Sequence, residues 1–412
     1  MLDLLLTQVR LQNASAVMDI GVRNGIIDYL APSEREYKPD ALSIEDGMGG
    51  MLLPGLVEPH VHLEKAHLLS QMEQEAASLQ DAIRMTAAMK HGFTREDMKQ
   101  RSLAVIREAV RSGVTHMRCH AEVDPILGLS AFESALELKQ LVSHALDLQI
   151  VVFPQEGIFK NAGTAELMEE AMRLGGDVVG GITYQDTDLQ AHLQFVFNLA
   201  EKYGKSIDIH TDFSDNPEHL AIVDIAERTI AAGMEGLVSA GHVTSLGSLE
   251  HGRAEAVAER IQEANLHIMS LPATDLFING RADMERKRRG LTPIVMLLEK
   301  GVNVVIGVNN VRNPFTPFGK ADPLETAWLV AVTAYMGGDS EARQLIRMLT
   351  EGAAQALGLK NYGLRLGAEA DMVLFSVPTE RDILLDKPEQ RTVWKRGIKV
   401  AETQVAILLN RL

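Results

Sequence analysis

Two periodicities divide the chain. Through the middle, short apolar runs rich in Val and Ile end in polar residues, and each is followed by a longer stretch with apolar positions three and four apart. Eight such runs occur: Gly55–His62, Thr115–Glu122, Leu148–Pro154, Asp177–Thr183, Ser206–Asp212, Gly236–His242, His267–Leu271 and Val302–Asn309. Near-continuous apolar runs of this length suit strands covered on both faces, as in a parallel sheet. Helices are expected between them at Thr94–Ser112, Ser130–Ala145, Ala165–Leu174, Asp188–Tyr203, Pro217–Ala232, Leu249–Ala264 and Pro293–Lys300. Gly113, Gly175, Gly204, Gly233 and Gly301 stand just past helix ends, where a left-handed residue closes the last turn. Eight βα units in series predict an α/β chain folded as a (β/α)8 TIM barrel.

The two ends have a different texture. Residues 1–53 and 360–412 carry short alternating strands, clearest at Ala370–Phe375 and at Thr392–Val400, with Gly397 at a hairpin turn. Because they flank one barrel (residues 54–359), the two pieces are expected to pair into one small β-sandwich domain. The connection from His62 to Thr94 is long for a βα loop and holds Met72, Met85 and Met89. Such a loop is expected to act as a lid or binding loop, or to form an extra packing helix.

Composition narrows the function. Hydrophobic residues make up 46% and charged residues 23% of the chain, as in a globular protein. A formal net charge of -16 argues against nucleic acid or an acidic membrane face as partner, since phosphate binding needs a basic patch. The lone Cys119 leaves no intrachain disulfide, and the opening stretch Met1–Val9 reads as a strand rather than a signal peptide. A cytoplasmic location follows as the expectation. Apolar runs such as Val302–Val308 are far too short to span a membrane. Homo-oligomer formation is compatible with all of this.

The chemistry-bearing residues cluster at run ends. His60 and His62 are two apart in a strand and so point the same way, at the end where barrel enzymes build their sites. Two imidazoles on one face can chelate a divalent cation. His210 ends the fifth run and His242 the sixth; each alone could be a core histidine. Four histidines at three strand ends read together as a metal and proton-transfer site. His116, Arg118, His120 and Glu122 alternate along the second run, and an inward-facing row would wall the same space, since burying Arg118 under helices is costly. Phe315 and Phe318 could stack on a flat ring or pack in the core. Arg281 could reach the pocket or lie on the surface, and the Lys287-Arg288-Arg289 cluster reads as a solvated turn or a helix-capping feature.

His60-Val61-His62, Phe153-Pro154-Gln155-Glu156-Gly157, His210, Gly241-His242, Lys287-Arg288-Arg289-Gly290 and the Gly307–Gly319 segment together resemble the amidohydrolase superfamily. Within it the chain is similar to the cytosine deaminase group and its relative N-isopropylammelide amidohydrolase, over residues 50–360. Lys65 is closer to the second. The resemblance implies a hydrolase of non-peptide C–N bonds in a small nitrogen heterocycle, with water as nucleophile. It implies one divalent metal, zinc or iron, held by His60, His62 and His210. It also implies that Gln155 hydrogen-bonds the substrate ring and that His242 polarises a carbonyl or holds the attacking water. Asn310 and Phe315 are taken as further substrate contacts.

The pattern breaks at two places. Where the family has a metal-binding aspartate after the eighth strand, this chain has Asn309, which cannot accept a proton from water and leaves the cation uncompensated. Where deaminases of the group have a proton-shuttling glutamate three residues past His210, this chain has Phe213. Asp212, Glu156, Glu64, His242 and Lys65 then stand as the candidates for proton transfer, although Asp212 could simply cap the following segment and Glu156 could pair with a nearby cation. The competing expectation is a metal-poor or metal-free barrel that binds a heterocycle without hydrolysing it.

Overall fold

The computed structural model describes all residues except 13, 36–37, 286–287 and 410–412. Lys287 of the basic cluster therefore lies outside the described residues. The chain opens with β1 (Leu2–Val9), β2 (Met18–Arg23), β3 (Ile26–Pro32), β4 (Ala41–Asp46) and β5 (Met51–Pro54). Eight strands separated by helices follow: β6 (Leu56–Val61), β7 (Val114–Glu122), β8 (Asp147–Phe153), β9 (Val178–Ile182), β10 (Ser206–Thr211), β11 (Val238–His242), β12 (His267–Ser270) and β13 (Asn303–Ile306). The chain ends with β14 (Met372–Phe375), β15 (Arg391–Lys395) and β16 (Ile398–Glu402).

Strands β6 to β13 are parallel neighbours in sequence order. The first and last meet just past β13, where Asn309 N donates to His60 O at 2.8 Å and His62 N donates to Asn309 O at 2.9 Å. This closes the sheet into the expected TIM barrel. The strands are buried on both faces, which is why they read as apolar runs rather than as alternating patterns. The five glycines expected at helix ends all have positive φ.

The row on β7 lies inside the barrel. Arg118 reaches Asp208 on β10 at 2.8 Å and Ser239 on β11 at 3.3 Å, and donates to the Ala356 carbonyl at 3.0 Å. Ala356 lies in the last turn of the short helix Glu351–Leu357, whose Ala353, Ala354 and Leu357 pack with Val57, Met269 and Val305. That helix covers the barrel floor, so the histidine end is the open mouth.

The terminal strands form two four-stranded sheets, ordered β3-β2-β1-β4 and β16-β15-β14-β5. Leu4, Leu6, Ile20 and Val22 from the first pack against Leu52, Met372 and Trp394 from the second. The second sheet joins both ends of the chain, because β5 pairs with β14 from Met51↔Phe375 to Pro54↔Met372. The long connection after β6 contains the helix Leu79–Lys90, capped by Ser78. No described helix is long and apolar enough to cross a membrane.

Candidate active site

At the mouth of the barrel His210 meets two other imidazoles, while His60, His120 and His210 bring a ring nitrogen each within 4.8 Å of one another. His60 and His62, on and just past β6, and His210 on β10 are all buried. Nε2 of His210 lies 3.0 Å from Nε2 of His60 and 3.1 Å from Nε2 of His62. The Nδ1 atoms of all three have no hydrogen-bond partner among the described residues. Burial, followed by the neighbouring positive charges, holds all three rings well below the usual histidine range, so they are neutral and carry lone pairs. Converging neutral imidazole nitrogens suit a divalent cation of the zinc or iron type. Gly241 gives this cluster room: a Cβ there would stand 3.2 Å from His60 Cε1.

His120 packs against His60 with ring centroids 3.9 Å apart, but its Nε2 is engaged by Asp208 Oδ1 at 3.2 Å. Burial pushes the Asp208 carboxyl up, yet the His120 and Arg118 contacts outweigh it and leave the group below its ordinary value. His120 and Asp208 thus support the histidine cluster from beneath. Asp208 was not singled out in the sequence, although it is two residues before His210 and shares its strand face.

Around the cluster lies a small chamber lined by His62, Lys65, Gln155, Tyr184, His210, Phe213, His242, Thr274, Asn309, Asn310 and Phe315. Lys65 donates to Glu122 Oε1 and to Gln155 Oε1, each at 2.6 Å, and sits 4.9 Å from the Phe315 ring centre. A lysine has only donors, so the Gln155 oxygen must face it and the Gln155 amide N–H groups are left for a ligand. Behind Glu122, Lys90 reaches Glu122, Asp124 and Glu156 at 2.6, 2.9 and 2.9 Å. Burial opposes the charge on Lys90, but the three carboxylates raise its pKa above the ordinary lysine value.

His242 Nδ1 donates to Asp275 Oδ1 at 2.6 Å, which leaves Nε2 for the chamber. Asp275 sits in the helix Pro272–Ile278, and sequence reasoning missed it; its buried carboxyl is raised above its ordinary value. Phe213 lies flat on the His242 ring, with centroids 3.9 Å apart and planes at 6°. The side chain that replaces the expected glutamate thus shields the imidazole rather than exchanging protons with it.

One candidate is placed differently from the rest. Asp212 does not line the chamber: its carboxylate accepts from Ala221 N at 2.9 Å and Ile222 N at 3.0 Å, capping the helix Ala221–Ala232. Burial raises its pKa to about 7 against these hydrogen bonds. Asn309 lines the chamber, and its buried Oδ1 has no partner among the described residues. Asn310 Oδ1 accepts from Asn313 Nδ2 at 2.7 Å, and Phe315 packs with Ala76, Ala82 and Ile83 of the long connection. Phe318 is exposed. Arg281 lines a separate outer cavity, and Arg288 pairs with Asp283 at 2.6 Å.

Asp212, His242 and Asn309 all have positive φ, at 51°, 72° and 63°. Backbone in this region is disfavoured for side chains other than glycine, at a cost on the order of 1–3 kcal/mol each, and recurs where a functional geometry is imposed.

Known proteins are similar to this chain over nearly its whole length. N-isopropylammelide isopropyl amidohydrolase of Pseudomonas sp. (strain ADP) is 26% identical, covering 98% of each chain. Pterin deaminase of Rhizobium rhizogenes is 27% identical, over 92% of this chain and 86% of its own. Among solved structures, 5-methylcytosine deaminase from Klebsiella pneumoniae, liganded with phosphonocytosine, superposes with a TM-score of 0.93 at 28% identity, covering 98% of this chain and all 100% of that one. N-isopropylammelide isopropylaminohydrolase from Burkholderia multivorans gives a TM-score of 0.85 at 29% identity, covering 98% of this chain and 99% of that one. The sequence model of the Amidohydrolase family matches residues 69–401, and the chain belongs to that family.

Proposed function

We propose that the protein hydrolyses a C–N bond of a small nitrogen heterocycle, with water as nucleophile. The observation that carries this is the contact of His210 with His60 and His62 beside a chamber lined by His62, His210, Gln155, Lys65 and His242. His60, His62 and His210 would hold a divalent cation, zinc or iron, with the unpartnered Asn309 Oδ1 as a neutral neighbour. Such a cation, when bound, makes a water molecule acidic enough to supply hydroxide near neutral pH.

The rest is done by this chain's own side chains. Gln155 presents N–H donors and so selects a ring edge with a carbonyl or an unprotonated nitrogen. Lys65 stands beside it as a second donor to the same edge. His242, oriented by Asp275, accepts the proton that water loses and returns it to the departing nitrogen. One C–O bond forms at the ring carbon as one C–N bond breaks, releasing ammonia or an amine. Phe213 and Phe315 offer apolar surfaces for the ring and exclude bulk water. Asp212 holds a helix rather than a proton in this scheme.

The test is a screen of pyrimidines, triazines and pterins for ammonia or amine release, with and without added zinc or iron. Release that depends on metal and is abolished in His242→Ala supports the reading. Binding of a heterocycle with neither release nor stoichiometric metal would favour the non-hydrolytic alternative, to which the neutral Asn309 lends support.

A further inference from the structure

The sandwich leaves one sheet edge and one chain segment without partners, side by side. Strand β4 stands at the end of its sheet and pairs with β1 alone among the described residues. Its side chains alternate, so Leu42 and Ile44 share a face, and they are 70% and 66% exposed. An unpaired edge is a template for another strand, and folded proteins guard it with lysine, proline or a covering element. From Ala41 to Ile44 this edge carries neither residue.

The segment after β16 has a matching character. Thr403 N still donates to Arg391 O at 2.9 Å, and Gln404 reaches back to Glu402, but residues 405–409 make no hydrogen bond among the described residues. Val405, Ile407, Leu408 and Leu409 are 44%, 75%, 91% and 70% exposed. Leaving four large apolar side chains in water is unfavourable. Val405, Ile407 and Leu409 have the spacing of two that puts them on one face of a strand. Residues 404–409 also match the six-residue length of β4.

The two features are neighbours. Lys399 of β16 pairs with Glu45 of β4 at 2.8 Å, and Glu402 lines the same cavity as Glu45, Asp46 and Met48. The segment therefore leaves the fold beside the end of β4, yet it lies in solvent and leaves that edge uncovered. A second copy supplies what each feature lacks. Because donor segment and acceptor edge lie together, a twofold axis beside them lets each copy give its segment to the other's edge, and the exchange closes at two chains.

We propose that two copies of this chain associate by exchanging residues 404–409, each laid as a fifth strand along β4 of the other copy. Val405, Ile407 and Leu409 then stand beside Leu42 and Ile44 as cross-strand neighbours. This association is independent of the hydrolytic chemistry proposed above.

Sedimentation equilibrium of the full chain at micromolar concentration should give twice the chain mass of 45.1 kDa, or an even multiple of it. Truncation after Thr403 and, separately, Ile44→Lys should each halve that mass. Thermal unfolding should stay cooperative in both, since neither change touches a buried residue. Exchange is separated from a segment folding back on its own β4 by co-expressing Ile44→Cys chains with Val405→Cys, Ile407→Cys or Leu409→Cys chains and oxidising them. The native Cys119 is buried and takes no part. At least one combination should give disulfide-linked pairs of chains above the yield of either variant alone. A monomeric full chain, an unchanged mass after truncation or in Ile44→Lys, or no linked pair from any combination overturns the proposal.

Discussion

At the scale of single residues, strand periodicity made the histidines legible and left their supports hidden. His60, His62, His210 and His242 stand at strand ends, where a period of two assigns a face. Asp275 offered no such signal, because it comes from a helix turn that follows β12 and meets His242 only through the fold. Its role is testable. Asp275→Asn should keep the ring in place but disturb its tautomer, lowering kcat at least about tenfold with little change in KM, as steady-state kinetics would show. Asn309 makes a second prediction. Asn309→Asp places a carboxylate beside the three imidazoles, so the purified variant should retain more metal per chain after dialysis against a weak chelator than the unaltered protein, measured by elemental analysis. The reading of Asp212 shows the limit of face arguments: it lies just past its strand with positive φ, and its side chain turns to the next helix.

At the scale of elements, the eight strands were readable from their length and from the polar residue that ends each. The long connection after β6 was not, since methionines and scattered apolar positions serve a helix and a loop equally well. Its helix Leu79–Lys90 carries a lysine into the buried carboxylates behind the chamber. The helix Pro323–Thr333 also escaped notice, because it is apolar almost all round and shows little of the stripe that marks an amphipathic helix. Lys90 yields the element-scale prediction. Lys90→Met leaves Glu122, Asp124 and Glu156 facing one another with less positive charge, and should cost about 3–5 kcal/mol of stability in urea unfolding. Activity should fall with it, because Glu122 positions Lys65 and Lys65 fixes Gln155.

For the whole molecule, the alternation of βα units pointed to a barrel, and the strand-rich ends pointed to a sandwich built from both termini. Which end strands pair could not be read, because β5 and β14 are four residues each and lie far apart in sequence. Acid sensitivity belongs to this scale. Burial lowers the pKa of His267 and of His116 to about 4 in the folded chain, against an ordinary 6.5. Between those values the unfolded chain binds the proton and the folded chain does not, so stability is full above pH 6.5 and declines as pH falls toward 4. Each histidine should account for roughly 2 kcal/mol between pH 7 and 5. Urea midpoints at the two pH values would show this, and His267→Gln should flatten the dependence.

The pairing of β5 with β14 has a bearing on how the protein is made. Only Gly55 separates β5 from β6, the strand that carries His60. The segment bracing that strand from behind is therefore synthesised some three hundred residues after it. A nascent chain still tethered to the ribosome would lack this brace, and the catalytic cluster would assemble only near the end of translation. A premature stop before β14 would thus disarm an enzyme whose reacting groups had all been translated.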